Sequence, residues 1–296
     1  MNSPNLTRRR FVQGAALLGT TTLLGSRLPA QTPTSGLTAR QLVDLIKGKV
    51  VSSWNEDSYR DTFKAGNPDT VVTGVASCFM STLDVIQRAH AAGLNFVISH
   101  EPTFWSDPDT LTDAVLDEPL YQLKKAYVEK NHMVVWRIHD HWHLYRPEPM
   151  ATGLTKTLGW EKYVTGPGGR TYKLPPMTVR DIAKHLATKL ESKSIRIVGD
   201  PNIVVTTLGR GAHTLEGNAT AFTENVEAII TSEAREVDSI EYVRDLTTSG
   251  RKVAMILIAH EVGEEAGMTE FTDWLPTVAP GIKVINIKTY DKLWIA

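Results

Sequence analysis

Cysteine is almost absent from this chain of 296 residues, which contains only Cys78. A single thiol cannot form an intramolecular disulfide, and it cannot supply the several thiolates of a zinc-finger site. Any metal ion that the protein binds must therefore be held by histidine and carboxylate side chains. Internal repeats and low-complexity tracts are also absent from the sequence.

The N-terminal apolar run, residues 14–25, is too short and too rich in glycine and threonine for the roughly 20 apolar residues of a membrane helix. It follows the segment Arg8-Arg9-Arg10-Phe11 and precedes Leu28-Pro29-Ala30. This order predicts a secretion signal, and the adjacent arginines indicate the twin-arginine type. We therefore assign residues 1–30 to a signal peptide and expect a periplasmic or otherwise exported protein. The alternatives are a disordered basic N-terminus and an uncleaved anchor.

Acidic residues outnumber basic residues once the signal is removed. Residues 1–30 carry four arginines and no acidic residue, so the formal net charge falls from −1 to −5. Proteins that bind the phosphate backbone carry a basic stripe, and this composition disfavours general nucleic-acid binding. After processing we expect no stable membrane span, and a small-molecule substrate of unknown identity as the partner.

The first half of the remaining chain alternates strand and helix patterns. Buried parallel strands are nearly continuous in apolar residues, whereas helices repeat them every three to four positions. These patterns predict strands at 71–77, 94–99 and 133–138, and helices at 81–92 and 118–131.

The second half repeats the alternation after the break Gly166-Pro167-Gly168-Gly169. It predicts helices at 179–190 and 240–248, and strands at 195–198, 204–208, 226–230 and 252–259. Thr178 and Asp181 provide a capping signature for the first of these helices. The fold class is therefore α/β, with a two-lobed sheet sandwiched by helices. We expect one domain, 31–296, with lobes at about 36–165 and 170–296.

Polar clusters follow four of the predicted buried strands. Open α/β sheets place ligands at the carboxyl ends of their strands. Imidazoles and carboxylates that converge there can hold two metal ions, because a carboxylate can bridge them. The clusters are His100-Glu101, the run 139–143 (His-Asp-His-Trp-His), Glu233, and the pair His260 and Glu264.

Several of these segments resemble the Nif-three-like family, whose bacterial members are labelled GTP cyclohydrolase 1 type 2-like. The resemblance spans most of residues 36–294 and rests on the segments 72–76, 95–103, 195–200, 230–233 and 259–264. It implies an α/β protein that forms a homo-oligomer and binds two divalent ions, which are Zn, Mn, Fe or Ni. The implied metal ligands are His100, Glu101, His143, His260 and Glu264.

The sequence departs from the family pattern at two of these ligands. Where this chain has His100-Glu101, the family has two consecutive histidines. Where this chain has His-Asp-His-Trp-His at residues 139–143, the family has His-Thr-x-x-Asp. Glu101 thus replaces a histidine and His143 replaces an aspartate, which leaves the summed ligand charge unchanged. Asp140 is a rival of Glu101 as the bridging carboxylate. We expect the family's extra ring-forming domain to be absent or reduced in this protein.

Glu233, Trp136 and Trp142 also lie near these segments. Glu233 could orient a ligand, act as a general base, or be a solvated carboxylate. Trp136 is interpreted as a core residue and Trp142 as a wall of the substrate pocket.

The function that these patterns indicate is that of a metal-dependent hydrolase of unknown substrate. The alternatives are a metal-binding or metal-delivery protein without turnover, and a metal-stabilised interaction module. Export argues against GTP as the substrate, because a protein outside the cytoplasm seldom meets it.

Overall fold

The structure is a computed structural model that describes residues 36–107, 111–223, 225–293 and 295. The predicted signal peptide, residues 1–30, lies outside the described residues. The described residues belong to one compact unit. Among them, no helix has both the length and the apolar character needed to cross a membrane.

The described strands form two sheets. In chain order the strands are β1 (Phe63–Ala65), β2 (Val75–Met80), β3 (Phe96–Glu101), β4 (Val134–Arg137), β5 (Val164–Thr165), β6 (Thr171–Thr178), β7 (Arg196–Val198), β8 (Val204–Arg210), β9 (Ala228–Ser232), β10 (Ala254–Ile258) and β11 (Val284–Asn286). One sheet has the order β1-β4-β3-β2-β11, and the other has the order β5-β6-β8-β9-β10-β7.

Helices connect and cover these strands. They are α1 (Ala39–Val50), α2 (Leu83–Ala91), α3 (Asp113–Leu116), α4 (Pro119–Lys130), α5 (Asp140–Leu144), α6 (Pro149–Leu158), α7 (Val179–Lys189), α8 (Leu215–Thr223), α9 (Glu241–Thr248) and α10 (His260–Val278). This mixture of two sheets and flanking helices confirms the predicted α/β class.

Each sheet contains a parallel core that carries the predicted polar clusters. Strands β2, β3 and β4 run parallel in the first sheet, and β8, β9 and β10 run parallel in the second. The residues of β3, β4, β9 and β10 are buried, as their continuous apolar sequences predict. Because β11 pairs with β2, the end of the chain returns to the sheet of the first predicted lobe.

Side-chain caps fix the helix starts that the sequence predicts. The side chain of Thr82 accepts a hydrogen bond from the backbone of Val85 at the start of α2, and Thr178 accepts one from Asp181 at the start of α7. Glu118 caps α4 just before Pro119, a residue that suits the first helical turn.

The long helix α10 is shared by both sheets, since it contacts β2 and β11 in one and β9 in the other. It also packs closely against α6. A Cβ on Gly153 would lie 2.3 Å from the carbonyl oxygen of Ala266, and one on Gly267 would lie 1.9 Å from the sulfur of Met150. Glycine at both positions therefore allows the close approach of α6 and α10.

Two sequence predictions are wrong in detail. The strand predicted at 71–77 begins only at Val75, and the backbone of Val71 and Thr73 bonds the side chain of Asn95 instead. Trp142 is not a wall of the substrate pocket but a fully buried core residue, packed against Phe271 with its indole N–H donating to Gly267.

Candidate metal centre

Strand ends from both sheets deliver the polar side chains to one place. His100 and Glu101 end β3, and His139 follows β4. On the second sheet His213 follows β8, Glu233 follows β9 and His260 begins α10 just after β10. The predicted position at the carboxyl ends of strands therefore agrees with the structure.

The histidine run after β4 forms the short helix α5 because a distant carboxylate caps it. The side chain of Asp61, itself buried, accepts hydrogen bonds from the backbone N–H groups of His139, Asp140 and His141. It also bonds Nδ1 of His141, so this imidazole has a structural role in the fold. The helical spacing places His139 and His143 on one side of α5, facing His100.

His100 presents an unprotonated ring nitrogen to the centre. Its Nδ1 lies 3.0 Å from the carbonyl oxygen of Ile138, so this nitrogen carries the proton. Its Nε2 is buried without a hydrogen-bond partner and lies 3.3 Å from Oε2 of Glu264. Burial, with the nearby imidazoles, lowers the pKa of His100 to about 4. A lone pair that faces a carboxylate with no proton between them fits a metal cation.

His100, His139 and His143 form the first imidazole group. Their ring centroids are 4.4 to 4.9 Å apart, and one ligand atom from each lies within 4.8 Å of the others. Nδ1 of His139 donates to Asp140 at 2.9 Å, and Nδ1 of His143 donates to Glu148 at 3.1 Å. Such outer hydrogen bonds leave Nε2 free to bind a metal and fix the ring orientation.

His213, His260 and Glu233 form the second group, again with ligand atoms within 4.8 Å of one another. Oε2 of Glu233 lies 3.5 Å from Nδ1 of His213 and 3.4 Å from Nδ1 of His260. The opposite nitrogen of His260 faces Oε2 of Glu264 at 3.1 Å. Glu233 is 61% exposed and adopts a left-handed backbone conformation with φ of 54°.

Glu264 and Glu101 lie between the two imidazole groups. Oε2 of Glu264 faces His100, while its Oε1 lies 3.7 Å from Nε2 of His213. Oε1 of Glu101 lies 3.5 Å from Nε2 of His139 and 3.7 Å from Nε2 of His260. Each buried carboxylate therefore touches both groups, which is the arrangement that lets a carboxylate bridge two ions.

The electrostatics of the cluster favour charged carboxylates. Burial opposes ionisation of Glu101, but the hydrogen bond with His139 and the other imidazoles lower its pKa to about 2. The contacts with His100 and His260 likewise hold the pKa of Glu264 well below its usual range, against the effect of burial. Burial lowers the pKa of His260, but Glu264 outweighs it and raises that pKa to about 9. A bound divalent ion would displace the His260 proton.

The structure brings five of the six predicted ligands into the cluster and places the sixth beside it. Asp140 lies behind His139, where it also accepts hydrogen bonds from Ser58 at 2.8 Å and Arg60 at 3.3 Å. It belongs to none of the three donor groups found among the described residues. It therefore fits an orienting role, whereas Glu101 faces both imidazole groups.

Two histidines of the cluster were not predicted as ligands. His139 was recognised within its run but not assigned to the metal. His213 was missed altogether. Its position three residues after the end of β8, at the same sheet edge as Glu233, is the signal that indicates it.

A cavity of about 380 Å³ opens onto the cluster. His139, His143, His213 and Glu264 are among the residues that line it. Its other walls come from the loop around Gly168, from the end of β8 and from β9. The candidate ligands are thus reachable by a small molecule.

Comparisons with known proteins agree with this architecture. The family model described as Duf34/NIF3 (NGG1p interacting factor 3) matches residues 38–292. The Staphylococcus aureus protein SA1388 has a similar structure, with a TM-score of 0.67 and 18% identity over 86% of this chain and 97% of that one. A Bacillus cereus protein related to NIF3 is also similar, with a TM-score of 0.68 and 12% sequence identity over 88% of this chain and 99% of that one.

Reduced HcgD from Methanocaldococcus jannaschii is also similar, with a TM-score of 0.62 and 12% identity over 85% of this chain and 98% of that one. At these identities the structures establish a shared fold. No curated protein sequence matches the chain significantly. Since the family model covers most of the sequence, this protein belongs to the DUF34/NIF3 family.

Proposed function

We propose that the protein is a metal-dependent hydrolase that binds two divalent ions. The observation that carries this proposal is the position of Glu101 and Glu264, each of which faces imidazoles of both groups. His100, His139 and His143 would hold one ion, and His213 and His260 the other, with the two glutamates between them. Imidazole and carboxylate ligands suit Zn, Mn, Fe or Ni.

Bound divalent ions acidify a water molecule and polarise a substrate oxygen, which are the two tasks of metal-assisted hydrolysis. The side chains of the protein supply the rest. Glu233 holds the rings of His213 and His260 through their Nδ1 atoms, and this contact favours an orienting role. The hydrolysis adds the water oxygen to the substrate, and the leaving group departs with a proton from that water.

The cavity favours turnover over storage. A catalytic metal site keeps an open position for water or substrate, whereas a structural site is closed by protein ligands. Here a space of about 380 Å³ reaches His139, His143, His213 and Glu264. A small molecule can therefore approach both imidazole groups from the same side.

Elemental analysis of the purified protein, paired with a substrate screen, tests this proposal. We expect about two divalent ions per chain, and turnover in a screen of esters, phosphodiesters, amides and cyclic amides. Glu264→Gln should abolish turnover and lower the ion content. Two bound ions with no turnover across the screen would instead support a metal-binding or metal-delivery protein, and a protein without ions would refute both.

A further inference from the structure

We infer that the cavity binds an oxyanion, a phosphate or carboxylate group of the substrate, through Arg146, Arg170 and Arg210. Calling the ligand a substrate rests on the proposed function. The anion site itself does not depend on bound metal, because its three arginines belong to none of the candidate metal-ligand groups of the described residues.

The walls of the cavity carry more positive than negative charge. Three arginines line it, and the carboxylates that line it are Glu148 and Glu264. Glu264 faces the histidines of the metal centre. Glu148 accepts hydrogen bonds from His143 and from the first turn of α6, and it lies 3.4 Å from Arg210. The three arginines therefore outnumber the carboxylates that could pair with them within the cavity.

Arg170 and Arg210 are direct neighbours across the β6–β8 pair. The backbone N–H of Arg210 donates to the carbonyl of Arg170 at 2.7 Å, continuing the register in which Thr171 pairs with Gly209. Like charges directly opposite each other destabilise an antiparallel pair. Arg170 is exposed and forms no ion pair with a described residue. An anion bound between the two side chains would remove this repulsion.

Arg146 is held in place from the side of the metal centre. Its Nη1 donates to the carbonyl oxygens of His143 and Tyr145, both at 2.8 Å. These bonds fix the guanidinium next to a candidate ligand and leave its remaining N–H groups for another acceptor. A planar guanidinium binds phosphate and carboxylate with paired hydrogen bonds.

The size and lining of the cavity indicate a small organic anion. A volume of about 380 Å³ is near the lower end of the range for small-molecule sites, roughly 300–1,000 Å³. Leu154, Ile230 and Ile258 provide apolar surface, and Thr231 and Ser232 add hydroxyl-bearing side chains. The substrate would place its oxyanion against the arginines and its apolar part against these side chains.

Calorimetry with phenyl phosphate, benzoate and neutral benzyl alcohol tests the inference on chelator-treated protein. We expect at least one of the two anions to bind and the alcohol to bind at least tenfold more weakly. Preference for phenyl phosphate would identify a phosphate site, and preference for benzoate a carboxylate site. Using metal-free protein separates this result from the proposed function, since an anion site survives even if elemental analysis finds no ions.

Arg170→Gln and Arg146→Gln should each weaken binding of the preferred anion about tenfold, because a hydrogen bond to a charged group is lost. Arg180→Gln is the matched control, since Arg180 is an exposed arginine of α7 that does not line the cavity. Circular dichroism of all three variants should match the wild type. Failure of both anions to bind, equal binding of the neutral alcohol, or unchanged affinity in Arg170→Gln would overturn the inference.

Discussion

Nη2 of Arg137 lies 2.8 Å from Oε2 of Glu101, and both side chains are buried. Arg137 also donates to the carbonyl oxygen of His100 at 2.9 Å. The guanidinium thus binds one carboxylate oxygen of Glu101 and leaves Oε1 directed at His139 and His260. The buried guanidinium of Arg137 therefore neutralises the charge of Glu101.

Removing this cation should destabilise the protein. Arg137→Met leaves Glu101 buried without its ion-pair partner, and we expect a loss of about 3 kcal/mol in the free energy of unfolding. Urea denaturation of the metal-free wild type and variant measures this loss of unfolding free energy. Adding Glu101→Gln to Arg137→Met should restore part of the stability, since the uncompensated charge is gone. An additive double variant would show that the two residues are not coupled.

Much of the fold was predictable because local signals and tertiary structure agree. The apolar run of β3 and the cap Thr178 lie where the sequence places them, and α2 and α4 lie within the predicted helices 81–92 and 118–131. The strand ends then locate His100, Glu101 and His260 at sheet edges. These residues could be predicted because the carboxyl end of a buried parallel strand is a position visible in the sequence.

The remaining parts of the site depend on contacts between distant residues. Helix α5 forms because Asp61, 79 residues before Asp140, caps its backbone, and no local pattern reveals that contact. Likewise Asp140 is turned behind His139 by Ser58 and Arg60. His213 joins the cluster only because β8 and β9 are neighbours in the second sheet.

The candidate ligands should control metal content. We expect His100→Ala and His260→Ala each to lose at least one divalent ion per chain, measured by elemental analysis after dialysis. His90→Ala is the control, because His90 lies on α2 and contacts Tyr127 rather than the cluster. Wild-type metal content in both ligand variants would contradict the site assignment.

Glu148 should stabilise the protein in a pH-dependent way. Burial opposes its ionisation, but His143, Arg210 and the N–H groups of α6 lower its pKa from 4.5 to about 2. A lowered pKa stabilises the fold above the unfolded value, and this contribution is lost as pH falls from about 4.5 to 2. Glu148→Gln should therefore cost about 2 kcal/mol at pH 7 in metal-free protein.

Urea unfolding of wild type and Glu148→Gln at pH 7, 4.5 and 3 measures this effect. The difference in unfolding free energy should be nearly equal at pH 7 and 4.5 and roughly half as large at pH 3. Glu161→Gln is the control, because Glu161 is exposed. A difference that stays constant down to pH 3 would mean that the carboxylate is not preferentially ionised in the folded protein.

Export should depend on the paired arginines of the N-terminus. A twin-arginine signal is read by a receptor, so replacing Arg8 and Arg9 by lysine should trap the precursor in the cytoplasm. Fractionation of cells that express the wild type or the double lysine variant measures how much protein is exported. Arg27→Lys is the control, because Arg27 lies outside the pair. Equal amounts of mature protein outside the cytoplasm would reject this route.

Substitutions at Glu101 and Asp140 should separate a ligand from an orienting residue. Asp140 bonds Nδ1 of His139, so Asp140→Asn should weaken metal binding about 10- to 100-fold, the range for residues behind a ligand, while both ions still bind at saturating metal. Glu101 faces imidazoles of both groups, so Glu101→Gln should prevent full occupancy even at saturating metal.

Metal titration followed by elemental analysis gives both the affinity and the number of bound ions. The amide of Glu101→Gln can still accept the hydrogen bond from Arg137, so the fold should survive and the loss should be confined to the ions. If instead Asp140→Asn lowers the number of ions at saturation and Glu101→Gln binds two, then Asp140 is the bridging carboxylate. In that case α5 must turn toward the second imidazole group when metal binds, because Asp140 now lies behind His139.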